Sequence, residues 1–214
     1  MRPFIFESSM MRKYLYFALT ILISSISLIG CSKKPYTPLS PNATILAFGD
    51  SLTAGYGTTP ENSYPSSLAK LSGHPVINAG ISGETTAQGL ARFATVLDQT
   101  KPELVILMEG GNDILQNLSQ KTAQQNLQQM IDLAKLRKIQ ILLVAVPAKS
   151  FFSSSADFYE QLAEQNKLVL DDSTIAKLMK NPQFKSDYVH YNQQGYAKMA
   201  EHFYDELKDN GALK

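Results

Sequence analysis

Leu104-Val105-Ile106-Leu107-Met108 is an unbroken apolar run, and Glu109-Gly110-Gly111-Asn112-Asp113 follows it at once. A short run without polar alternation, stopped by glycines, predicts a strand covered on both faces. Working outward, Thr44–Phe48 shows the same pattern and ends at Gly49. His74–Asn78 gives another strand, Ile139–Val146 a fourth that Pro147 stops, and Leu168–Leu170 a short fifth. Helical periodicity fills the intervals. Ser63–Leu71 carries Pro65 in its first turn, and Thr85–Asp98 places Leu90, Phe93, Ala94 and Leu97 on one stripe. Lys121–Arg137 repeats with Leu127, Met130, Ile131 and Ala134; Phe158–Lys167 and Gln193–Leu207 complete the set. Doubly covered strands alternating with helices predict a three-layer α/β/α sandwich around a central, mainly parallel five-stranded sheet, closed by right-handed crossovers. In such sheets ligands bind beyond the carboxyl ends of the strands.

The chain has 214 residues, 44% hydrophobic and 18% charged, which suits one domain with a full core. A net charge of +1 gives no electrostatic case for a nucleic-acid partner. No His, Cys or carboxylate cluster has metal-ligand spacing, and no Gly-x-Gly-x-x-Gly or Walker motif appears, so neither metal nor cofactor is expected. Nothing in the pattern implies a protein partner. Residues 1–30 form a different segment. Arg12 and Lys13 precede the apolar run Tyr14–Ile29, which Leu28-Ile29-Gly30-Cys31 closes. That is the layout of a secretory signal. The run is shorter than the ~20 residues of a usual spanning helix, which leaves the transmembrane alternative second. Leu-Ile-Gly-Cys resembles a bacterial lipobox, in which Cys31 is acylated and becomes the first mature residue. An ordinary free Cys31 is the alternative, and Met10 or Met11 could be the true start. Ser32 after the cysteine implies, by the same resemblance, the periplasmic face of the outer membrane. Residues 31–42, rich in Lys and Pro, are expected to be an extended lipidated tether, with the domain spanning 43–214. The serine-rich stretch Phe152–Ala156 reads as a loop.

Three polar segments follow the first three strands: Gly49-Asp50-Ser51, Ala79-Gly80-Ile81-Ser82-Gly83-Glu84, and Glu109-Gly110-Gly111-Asn112-Asp113. A fourth, Ser186-Asp187-Tyr188-Val189-His190-Tyr191-Asn192, precedes the last helix. A parallel sheet brings the first three to one edge. Together they hold what acyl transfer needs: a hydroxyl nucleophile, a base, a group that orients the base, and donors for the oxyanion. Ser51 leaves a buried strand at the start of a turn or helix and is the candidate nucleophile. Of the three histidines, only His190 has an aspartate, Asp187, at a useful spacing. His74 and His202 read as turn and solvent-facing residues. The Ser51 N–H, the Gly83 N–H and the Asn112 side-chain amide are the natural oxyanion donors, and glycine at 83 lets the backbone approach the reacting carbon. Asp50 and Asp113 are expected to bond their loops or cap helices, Glu84 to cap a helix, and Glu109 to bond its loop.

Gly49-Asp50-Ser51-Leu52, Gly83, Gly110-Gly111-Asn112-Asp113 and Asp187-x-x-His190 resemble, in order, the four blocks of the GDSL, or SGNH, hydrolases. Thr53-Ala54-Gly55-Tyr56, Ile81-Ser82-Gly83 and Pro147-Ala148 are similar to the bacterial acyl-thioesterase, lysophospholipase and arylesterase branch. The resemblance covers Ala43 to the C-terminus and implies the flavodoxin-like SGNH fold. It also implies a catalytic Ser51, Asp187 and His190, with Ser51, Gly83 and Asn112 as the oxyanion hole, and small acyl ester or lipid substrates. A proline usually follows the family's histidine; Tyr191 stands here. The absence of a Gly-x-Ser-x-Gly elbow argues against the ordinary α/β-hydrolase fold. The expectation is a lipid-anchored serine esterase of the cell envelope. An envelope glycan O-deacetylase and a non-catalytic binding lipoprotein are the alternatives.

Overall fold

The computed structural model describes residues 34–147 and 157–214; the expected signal segment 1–30, Cys31 and the stretch 152–156 lie outside the described residues. Five parallel strands form one sheet: β1 (Ile45–Gly49), β2 (Val76–Gly80), β3 (Leu104–Met108), β4 (Gln140–Val144) and β5 (Val169–Asp171). Their spatial order is β2-β1-β3-β4-β5. All five residues of both β1 and β3 are buried, as continuous apolar runs flanked on both sides require. Each large side chain withdrawn from water in this way contributes roughly 1.5–3 kcal/mol.

The helices are α1 (Ser51–Ala54), α2 (Tyr64–Ser72), α3 (Thr86–Thr100), α4 (Gly111–Leu115), α5 (Gln120–Leu136), α6 (Phe158–Asn166), α7 (Thr174–Met179) and α8 (Gln193–Asp209). α2 packs on α8, and α8 on α7; α3 packs on α5, and α5 on α6. These two groups are the outer layers of the expected sandwich. Local signals set the helix ends. Pro65 lies in the first turn of α2, and Gly73 ends that helix in the left-handed region at φ 71°. The Gln88 side chain accepts the Thr85 N–H at the start of α3, at 3.0 Å.

The strand order reverses direction around β1. The chain leaves β1 for β2 on one side, then crosses back to β3 on the other. Gly49 sits in register with Gly80 on one flank and Met108 on the other. The segments after β1, β2 and β3 therefore start at one level, over the switch point where open sheets form their ligand crevice.

One boundary differs from the expectation. The tether proposed for 31–42 does not extend to Asn42, because residues 36–40 are part of the domain. Tyr36 and Leu39 are buried in the core. The Tyr36 hydroxyl donates to the Ile141 carbonyl at 3.0 Å, and the N–H groups of Tyr36 and Leu39 donate to Asn210 and Ala212. Gln140 exchanges two hydrogen bonds with the Thr37 backbone, and the Ser40 N–H donates to Glu103. Two apolar side chains among prolines give no periodicity, yet both are buried in a segment bonded to β4 and to the residues that follow α8. Tyr36→Ala is therefore expected to lower unfolding stability by about 3 kcal/mol in urea, and Tyr36→Phe by about 1 kcal/mol. Unchanged midpoints for both would return this segment to a tether.

Candidate active site

Ser51 opens α1 directly beyond β1. Asp50 caps that helix, accepting the Leu52 N–H at 3.0 Å. His190 comes from a loop closed by an antiparallel bridge between Lys185 and Tyr191 and by a bond from the Ser186 N–H to the His190 carbonyl. This loop sets His190 Nε2 3.0 Å from Ser51 Oγ, and His190 Nδ1 2.8 Å from Asp187 Oδ2. The other Asp187 oxygen accepts the N–H groups of Val189 and His190, both at 2.8 Å. Partial burial pushes the Asp187 carboxyl up. The hydrogen bonds from His190 and Val189 outweigh that and hold it at about 2. Asp187 is thus a carboxylate across the working pH range. An ionised carboxylate on Nδ1 selects the tautomer that leaves Nε2 free to take a proton.

The Asn112 side chain, on α4, donates to the Glu84 carbonyl at 2.9 Å and to Asp50 Oδ2 at 3.3 Å. Gly83 has φ +82°, and a Cβ built there would meet nothing within 4 Å. The left-handed φ by itself favours glycine at this position. Ser51, Gly83, Asn112 and His190 all line one cavity of about 350 Å³. Most of the remaining wall is apolar, including Leu52, Ile114, Leu115, Val146, Ile175 and Met179, while Asp50, Ser82 and Tyr56 add polar atoms to it. The five residues expected to form the site therefore meet at the carboxyl edge of the sheet. Among the described residues, no group of three or more His, Cys, Asp or Glu side chains is placed to hold a metal ion.

The GDSL-like lipase/acylhydrolase family model matches residues 47–198, which include all four blocks. The chain belongs to that family. It is 36% identical over 153 residues to an arylesterase of Vibrio mimicus, covering 67% of this chain and 76% of that one. It is 30% identical to thioesterase 1/protease 1/lysophospholipase L1 of Escherichia coli K12, covering 77% of this chain and 83% of that one. The crystal structure of the psychrotrophic esterase EstA from Pseudoalteromonas sp., inhibited by monoethylphosphonate, superposes with a TM-score of 0.71 at 25% identity. It covers 78% of this chain and 98% of that one. The protein is thus a carboxylic ester hydrolase of the GDSL family with the expected α/β fold.

Within this GDSL framework, Tyr191, which stands where the family usually has proline, faces away from the cavity. It is fully buried, and its hydroxyl donates to the Ile175 carbonyl at 2.8 Å. The substitution thereby ties the histidine loop to α7, which carries the cavity walls Ile175 and Met179.

The carboxyls beneath the site do more than the loop and cap roles expected of them. Asp50, Glu84, Glu109 and Asp113 are all buried. Asp113 accepts from the N–H and hydroxyl of Thr86, at 2.8 and 2.7 Å. Glu84 does not simply cap α3: it pairs with Arg92, whose guanidinium lies 4.0 Å from the Phe48 ring centroid and also donates to the Ala79 carbonyl. Burial raises the Asp50 carboxyl to about 6; the Leu52 N–H and His190 oppose this, while Glu84 and Asp113 add to it. Glu109 does not bond its loop. It is fully buried beside the Glu84 carboxyl, and no N–H or hydroxyl donor reaches either of its oxygens among the described residues. Burial, with Asp50 and Glu84 nearby, pushes it well above the usual carboxylate range. The available signal was an acidic residue placed immediately after a doubly buried strand.

Glu109 is protonated in the folded state at pH values where the unfolded chain has ionised it, so its burial costs more stability as pH rises. Glu109→Gln is expected to match wild type below about pH 4.5. Above that, it should be increasingly the more stable, by at most about 1.4 kcal/mol per pH unit, until the folded-state carboxyl also ionises. Thermal melts across pH check this; a difference that shrinks with rising pH would refute it.

Proposed function

We propose that this GDSL hydrolase cleaves acyl esters and thioesters through an acyl intermediate on Ser51. The observation that carries the reading is the continuous hydrogen-bonded line Ser51–His190–Asp187 at the mouth of an apolar cavity. His190 Nε2 takes the Ser51 proton as Oγ attacks the carbonyl carbon. The negative charge that develops on the carbonyl oxygen is met by the Ser51 and Gly83 N–H groups and the Asn112 amide. Ser51 stands at a helix start, where backbone N–H groups lack partners inside the helix. The Glu84 carbonyl fixes the plane of the Asn112 amide, and the longer bond to Asp50 is the one an oxyanion displaces. His190 then passes its proton to the leaving oxygen or sulfur. A water deprotonated by the same nitrogen attacks the acyl-serine, and Ser51 Oγ recovers the proton. Asp187 keeps the imidazole oriented and balances its transient charge. Preorganised donors of this kind are each worth about 10²–10³ in turnover.

The apolar walls suit an alkyl or aryl group better than a sugar. The names of the relatives, arylesterase and thioesterase/lysophospholipase, support the same range of substrates. A panel of chain-length-graded esters and thioesters is expected to be hydrolysed by wild type. Ser51→Ala should fall by on the order of 10⁴-fold or more in kcat. A serine-directed phosphonate should label Ser51, and equal turnover in wild type and Ser51→Ala would end the proposal.

The lipobox resemblance supports an envelope location, with acylated Cys31 as the first mature residue and the membrane reached through that lipid. Wild type is expected to stay with the envelope at a mature mass that includes the lipid. Cys31→Ser should be released or unprocessed; the same retention and mass for both would remove the anchor.

A further inference from the structure

The hydrogen bonds that hold His190 leave one freedom open. Asp187 grips Nδ1 and Ser51 meets Nε2, so both bonds lie in or near the plane of the ring. Bonds at the two ring nitrogens set the line between them but resist rotation of the ring about that line weakly. Such tipping leaves Nε2 in place but swings its in-plane lone pair away from the proton it must take and return, and small errors of alignment are costly in catalysis. A contact on the ring face is what opposes it.

Tyr56 supplies that contact. Its ring centroid lies 4.4 Å from that of His190, with the planes at 44°. The residue is 54% exposed, so core packing does not explain where it sits. Its backbone is nevertheless fixed at both ends. The Tyr56 N–H donates to the Ser51 carbonyl at 3.0 Å, and the buried Tyr196 hydroxyl donates to the Tyr56 carbonyl at 2.7 Å. Left-handed glycines bracket it, Gly55 at φ 86° and Gly57 at φ 93°. A Cβ on Gly57 would come within 2.3 Å of Ser186 Oγ and 2.9 Å of the Tyr191 carbonyl oxygen. The turn is thus pressed against both flanks of the loop that carries Asp187 and His190. One short segment ties the nucleophile's carbonyl, the last helix and the base loop to a single aromatic ring.

We propose that Tyr56 is a positioning residue for the base: its ring face fixes the tilt of the His190 imidazole and favours the imidazolium that forms as Ser51 attacks. An aromatic face attracts a cation placed against it, so the contact strengthens as charge arrives on the ring. The effect belongs to the transition state more than to substrate binding, and it should appear in kcat.

The proposal rests on His190 acting as base for Ser51, and its test keeps the two apart. Full-length wild type, Y56F, Y56L and Y56A are assayed on an acetyl ester, whose acyl group is too short to use the cavity walls. Thermal melts confirm that each variant is folded. Y56F is expected to keep kcat within about two-fold, while Y56L and Y56A lose roughly ten-fold in kcat with KM changed less than two-fold. Leucine retains bulk but not the aromatic face, so it separates ring chemistry from packing. Wild-type kcat in Y56L, or a loss carried by KM alone, would overturn the proposal. If Ser51→Ala matched wild type, the esterase reading itself would have failed, whatever the Tyr56 variants did.

Discussion

The central placement of β1, paired in parallel with β2 on one flank and β3 on the other, governs the rest of the molecule. Parallel pairing in one register puts Gly49, Gly80 and Met108 side by side. Every segment that leaves these strands must then begin at the same edge. Ser51, Gly83 and Asn112 are far apart in the chain but meet because three strands end together. The base is the exception, since it arrives on a loop before α8. That loop is held by its own bridge and by the packing of α8 on α2. A one-residue slip of β3 against β1 would move Asn112 by about 3.3 Å, more than a hydrogen bond can absorb.

Most of this was legible because the chemistry of the site and the punctuation of the fold share residues. Gly49 and Gly80 close strands and Gly110 follows just past β3, while Ser51, Ser82 and Asn112, two residues on from each, line the cavity. Leu104–Met108 forms a strand over the same five residues that its apolar run marks out. The missed elements share a physical reason. α1, α4 and α7 span only four to six residues, too few for a helical period to repeat. They are held by caps and neighbours: Asp50 for α1, and Asp171 for α7, where its carboxylate accepts the Ser173 and Thr174 N–H groups. The segment 36–40 escaped notice because Tyr36 and Leu39 stand alone among prolines. Only the finished edge of β4 and α8 gives them somewhere to go.

The carboxyls under the site show how far local pattern can mislead. Asp50, Glu84 and Asp113 read as loop and cap residues, and each does make such bonds or an ion pair. Together with Glu109 they also concentrate acidic groups in a dry region behind the nucleophile, and that follows from topology, not from any one segment. Arg92 answers only part of that charge, through Glu84. A shared proton inventory is the physical alternative to more cations, and the upward-shifted Asp50 and Glu109 carboxyls express it.

The docking of residues 36–40 also fixes where the chain enters the domain. These residues bond Gln140 and Glu103, at the edge where β3 and β4 begin. Ser51 and Asn112 lie past the edge where β1 and β3 end. At ~3.3 Å per residue, five-residue strands separate those edges by about 15 Å before any loop is added. The chain thus joins the domain on the side of the sheet opposite Ser51 and Asn112.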